Sequence, residues 1–132
     1  MKPRVFLLLL VLGTFCQETF SSPIQVLFLG HESKHHNSNE YYPILSQALG
    51  RDAIYFDYVT SVGRALDNTE YLNRFDALLL YANHPRITSD QWKNLLDFVK
   101  GGKGFVPVHC ASWCFSNVPE FDQLVGGRFK SH

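Results

Sequence analysis

The chain has 132 residues, enough for one domain, with 45% hydrophobic and 18% charged residues, the balance of an ordinary globular protein. Twelve Lys plus Arg offset twelve Asp plus Glu, so the formal charge is zero and no basic run or aromatic-studded basic patch appears. That balance argues against nucleic acid or an anionic membrane surface as partner.

Met1-Lys2-Pro3-Arg4 is a positive start, followed by the apolar run Val5 to Leu12, which is too short to span a bilayer. Thr19 and Ser21 then sit three and one before a cut between Ser21 and Ser22; a cut after Cys16 is the alternative. Residues 1–21 read as a signal peptide, which predicts an exported, periplasmic or extracellular protein with no stable membrane span after cleavage. Cys16 leaves with the signal, so Cys110 and Cys114 remain. Outside the cytoplasm they form either a C-x3-C disulfide or two small buried residues.

Residues 22–132 form the domain. Ile24 to Leu29 is a continuous apolar run ending at Gly30, which suits a strand buried on both faces. A polar loop follows over 31–39, then a helix over 40–49, capped by Asn39, tolerant of Pro43 in its first turn and ended by Gly50. A second strand is expected over 53–59 and a loop over 61–74 with a short helix near 69–73. Phe75 to Tyr81 is the third strand.

The segment 88–100 has the clearest helical pattern. Thr88 and Gln91 make a capping box, and Trp92, Leu95, Leu96 and Val99 share a face. Gly101-Gly102 stops it, and 104–108 is the fourth strand. Asn117 and Glu120 are expected to cap a last short helix through Leu124. Strands and helices alternating at this rhythm predict an α/β domain with a parallel sheet and right-handed crossovers.

That topology brings the strands' C-terminal ends to one edge, where open α/β sheets bind ligands. His31, His35 and His36 follow the first strand, His84 the third and His109 the fourth; His132 is the last residue. Neutral imidazoles suit acid/base work near neutral pH, and with a carboxylate such as Glu32 they suit zinc or another divalent metal. His31, His84 and His109 are the catalytic candidates, and His31, Glu32 and His109 the metal candidates. His35 and His36 read as members of a solvated loop. The aromatics near the same rim (Tyr41, Tyr42, Tyr81 and Trp113) could stack on a flat ligand face or serve packing alone.

The strand "GKGFVPVH" leading into "CASWCF", followed by "FDQLVGGRFKSH", resembles the ThuA-like, trehalose utilisation, domain family. The opening strand with "GHESKHH" and the helix "YPILSQAL" is similar to the family's N-terminal portion. The resemblance implies a doubly wound, mostly parallel α/β fold of the class I glutamine amidotransferase type, a flavodoxin-like three-layer arrangement. His109 then falls where amidotransferases present a cysteine nucleophile at a tight elbow, with Cys110 one position later. No late partner His and Glu follow, so glutamine hydrolysis is not expected, and Cys110 reads as a small elbow residue. ThuA-like domains also run on past the G-G-x-F-x-x-H stretch on which this chain ends at His132. The resemblance therefore implies an N-terminal portion, incomplete at its C-terminal end, for which an oligomer is conceivable.

The same resemblance implies a small-molecule carbohydrate as partner, trehalose or a related disaccharide, with Glu32, Trp113 and His132 as substrate-binding candidates. A sugar-processing enzyme is one reading; the others are a non-catalytic sugar-binding or accessory module and a non-functional fragment.

Overall fold

The computed structural model describes residues 22–31 and 33–130. The expected leader, Glu32 and His132 therefore lie outside the described residues. Four parallel strands form one sheet: β1 (Ile24–Leu29), β2 (Ile54–Val59), β3 (Ala77–Leu80) and β4 (Gly104–Pro107), in the order β2-β1-β3-β4. Register aligns their ends, with Leu29 opposite both Val59 and Leu80, and Leu80 opposite Pro107. Every loop that leaves the sheet in the forward direction consequently starts from one rim.

Five α-helices connect or follow the strands: α1 (Ser38–Leu49), α2 (Val62–Leu66), α3 (Thr69–Leu72), α4 (Ser89–Lys100) and α5 (Phe121–Val125). Chain order moves from β1 outward to β2, returns past β1 to β3, and continues to β4. Right-handed crossovers then place α1 on one face and α2 to α4 on the other. Aromatic contacts fix the first face, where Phe28 meets Tyr42 of α1 at 6.2 Å and Tyr58 of β2 at 5.2 Å between ring centres. The larger core lies on the second face, where Leu27, Leu29, Leu78 and Leu80 pack with Leu66, Leu95, Phe98 and Phe121.

Local chemistry explains most boundaries. Thr88 accepts from the Gln91 N–H at 3.2 Å while the Gln91 side chain accepts from the Thr88 N–H at 2.9 Å, the expected capping box. Helix α1 starts two residues earlier than expected because Asn37, not Asn39, caps it, accepting from the Asn39 N–H at 3.3 Å. The segment 61–74 holds two short helices rather than one, since Ser61 and Asn68 each cap a turn. Asn117 caps nothing: its side chain accepts from the Ile87 N–H at 3.1 Å and donates to the Ile87 carbonyl at 2.8 Å. On α4, Phe98 is buried with Leu95 although it lies outside the expected face of Trp92, Leu95, Leu96 and Val99.

Pro107 sits in an edge strand. The N–H groups of Gly104 and Val108 reach back to the Asp76 and Leu80 carbonyls, so the alternate position, Pro107, faces the open edge and costs no ladder bond. On the α1 face, helix cover stops short of β4, leaving Val106 46% and Ile44 61% exposed.

Gly30 lets α1 approach the end of β1. A Cβ there would lie 2.3 Å from Ser38 Oγ and 2.4 Å from Tyr58 Cε2. Gly30→Ala is expected to destabilise the fold by about 1–3 kcal/mol, as overpacking does. A urea midpoint unchanged from the parent would show that the approach is not tight.

Candidate functional site

The rim is built outward from β1. Ser38, whose side chain is fully buried, accepts from the His31 N–H at 2.6 Å and donates to the His31 carbonyl at 3.0 Å. Its hydroxyl also lies 2.8 Å from the Tyr58 hydroxyl, which donates to Asn39 Oδ1 at 2.7 Å. These bonds hold the main chain of His31 directly above β1. From β3 comes His84, with Nε2 hydrogen-bonded to the Gly30 carbonyl at 3.0 Å and its ring 4.9 Å from that of His31. Strands β1 and β3 flank the point where the chain's winding reverses, the usual crevice of a doubly wound sheet.

His109 opens a short 3-10 turn (His109–Trp113) directly after β4 and has φ 51°. A left-handed backbone costs a non-glycine residue on the order of 1–2 kcal/mol, and such strain gathers at functional sites. The Ser112 hydroxyl donates to the His109 carbonyl at 3.1 Å, and the Cys114 N–H to the Ala111 carbonyl at 3.0 Å, so the turn is held internally. A tight turn with a histidine at its tip therefore follows β4.

The structure groups the histidines differently from the expected sets. His31 pairs with His84, whereas His109 meets His36 at 4.9 Å between ring centres. Tyr81 lies 6.3 Å from His109 and 6.5 Å from His36, and 5.6 Å from Tyr41. Topology places His36 at the rim, and tertiary contact with the turn after β4 makes it a partner of His109 rather than a solvated loop residue, a pairing that no local pattern signals. His35 stays exposed. Among the described residues no three His, Cys, Asp or Glu side chains gather as a metal site, and Glu32 lies outside them.

A cavity of about 290 Å³ opens beside the His36–His109 pair, lined further by Asn83, Cys110, Ser112, Trp113 and Phe129. Phe129 is brought there by its N–H donating to the Ser112 carbonyl at 3.3 Å, with Arg128 paired to Asp122 nearby. Asn83 was not singled out from the sequence. Its Oδ1 is buried, as is Nδ1 of His31, and among the described residues no hydrogen-bond partner reaches either atom. A second hollow of about 510 Å³ shares the same histidine pair and runs along Ile44, Leu79 and Val108.

Cys110 and Cys114 form no disulfide. Burial pushes the Cys114 thiol up to about 12, and its Sγ donates to the Ala82 carbonyl at 3.1 Å. Burial also raises the Cys110 thiol, which opposes thiolate chemistry at the elbow.

The sequence profile of the family described as ThuA, trehalose utilisation, matches residues 25–132. The chain belongs to the ThuA family. Two solved structures share its fold. One, a ThuA-like protein from Parabacteroides merdae ATCC 43184, is 24% identical with a TM-score of 0.68, over 84% of this chain and 41% of that one. The other, a ThuA-like protein from Bacteroides uniformis ATCC 8492, is 16% identical with a TM-score of 0.64, over 86% of this chain and 48% of that one. The ThuA chain described above thus spans less than half the length of either structure. No curated protein matches it.

Burial holds His84 below the ordinary histidine range of 6.5, with the His31 charge adding to that and the Gly30 hydrogen bond opposing it. His36 is lowered too, by burial first and then by His109, His35 and His31. Below about pH 6.5 the unfolded chain takes up protons that these folded rings resist, so stability present above that pH is lost as pH falls. The urea midpoint is expected to drop between about pH 7.5 and 5.5, and His84→Asn to reduce the drop. An identical drop in the variant would remove His84 as its cause.

Proposed function

We propose that this ThuA domain serves carbohydrate utilisation by holding a small sugar in the 290 Å³ cavity, with His109 as the group that acts on it. The observation that carries this is the strained elbow: it sets the His109 ring against His36 at the cavity mouth, beside Trp113, which is 52% exposed. A flat apolar ring beside convergent polar groups suits the amphipathic faces of a sugar. Trehalose and related disaccharides are the ligands to try first.

Within this reading His109 takes or gives a proton at a ligand oxygen, and His36 supports its ring from the side. His31 and His84 form the floor of the rim. Glu32 and His132 are proposed as further ligand contacts. The positive start and the apolar run of residues 5–12 support an exported setting. A binding module without catalysis is the second reading, favoured by the aromatic set of Tyr41, Tyr81 and Trp113, since stacking needs no proton transfer.

His109→Ala is expected to abolish sugar turnover while lowering binding by no more than about tenfold, because proton transfer contributes roughly 10²–10⁴ in rate. Full turnover in the variant would remove His109 from the chemistry. Elemental analysis of the desalted parent and variant separates two roles for the ring: near-stoichiometric zinc that the variant loses makes His109 a ligand, with His31 and Glu32 as its proposed partners. Zinc retained by the variant makes that set wrong.

A further inference from the structure

The His36–His109 pair is a wall shared by two hollows. On one side lies the cavity of about 290 Å³ with Ser112 and Trp113, and on the other the hollow of about 510 Å³. His109 is exposed, so the crest of that wall is open and one ligand can lie across it.

The far side is built from two kinds of surface. Tyr41 of α1 and Tyr81, directly after β3, join the histidine pair as aromatic walls. Their rings meet near right angles: 73° between Tyr41 and Tyr81, 71° between His36 and Tyr81, and 74° between His36 and His109. Leu79, Val108, Ile44 and Leu45 supply aliphatic surface between them. The fold explains the set. Side chains alternate along a strand, so Leu79 turns to the α1 face while Leu78 and Leu80 fill the core. Tyr41, Ile44 and Leu45 are three and four residues apart and share one flank of α1.

Such a lining favours a flat apolar ring. Ile44 is 61% and Val108 38% exposed, and covering them with carbon releases water from apolar surface. Walls set at right angles receive an aromatic ring edge-to-face. A second sugar would instead press hydroxyl groups against Leu79 and Val108, which return none of the hydrogen bonds those groups make with water. We infer that this hollow is a subsite for an aromatic aglycone. The ligand class is then an aryl glycoside: its sugar lies in the 290 Å³ cavity, its glycosidic oxygen crosses over His109, and its ring lies among Tyr41, Tyr81 and Ile44. The inference rests on the sugar-site reading above and narrows it, because it assigns the second half of the ligand to carbon rather than to another sugar.

Calorimetric titration of the full chain tests this with methyl α-glucoside, phenyl α-glucoside and trehalose, which keep one sugar and change what its glycosidic oxygen carries. Phenyl glucoside is expected to bind the parent at least about tenfold more tightly than either of the others, a difference of ~1.4 kcal/mol. Ile44→Ser, at an exposed helix position, and Val108→Thr, which keeps a β-branched side chain beside the strand, are each expected to cut that preference to within about threefold. Phenyl and methyl glucosides that bind equally overturn the inference and leave the sugar-site reading standing. Trehalose binding as tightly as phenyl glucoside overturns it too, by giving the hollow to a second sugar. An undiminished preference in both variants does the same, since the ring then lies elsewhere. A parent that sediments as a dimer, with Ile44→Ser a monomer, gives the hollow to a second copy of the chain and also overturns it. Thermal melts establish that each variant folds; if neither does, the three ligands on the parent still decide. If none of the three binds, the sugar-site reading itself falls, and this inference with it.

Discussion

The rim depends on one close approach. Ser38 takes both main-chain polar groups of His31, and it can do so because Gly30 carries no side chain where α1 meets the end of β1. Without that contact the loop after β1 has no fixed height above the sheet. His31 would not lie against His84, whose own hydrogen bond also goes to the Gly30 carbonyl. Tyr58 and Asn39 continue the polar cluster sideways to β2 and α1, so three elements meet at it. A buried polar cluster of this kind is stable only when its members are satisfied, and Ser38 is.

Much of the architecture was legible in the sequence because each signal was local. Thr88 with Gln91 marks a helix start within four residues, and the apolar run of β1 ends on the glycine that the packing requires. Competing local signals were harder to separate. Asn37 and Asn39 are both good caps, and the choice fell to Asn37 because Asn39 is claimed by Tyr58. Asn117 looked like a cap too, but it closes on Ile87, thirty residues away in sequence. Topology alone places five histidines, His31, His35, His36, His84 and His109, at the rim. It does not give their pairing, since His36 reaches His109 only through the fold, and neither Asn83 nor Phe98 stands out until its surroundings are known.

Membership of the ThuA family and likeness to two longer structures put the sheet in context. Helix cover is uneven here: one face holds the large core, whereas Ile44 and Val106 stand exposed on the other. Among the described residues β4 is the edge strand beside them, and its Pro107 presents no N–H on the outer side. Edge pairing is thereby weakened where apolar exposure would otherwise encourage it.

The wall that Phe129 adds to the cavity has a consequence for how the protein comes to exist. His36 belongs to the first loop, whereas Phe129 arrives after all four strands, with its N–H bonded to the Ser112 carbonyl beside the Arg128–Asp122 pair. During synthesis the sheet and its histidine rim can assemble first, with the cavity still open on that side. Closing it is a long-range event that comes late in the order of folding. Among the described residues the cavity's two sides thus lie far apart in sequence, and the site exists only once the sheet that separates them has formed.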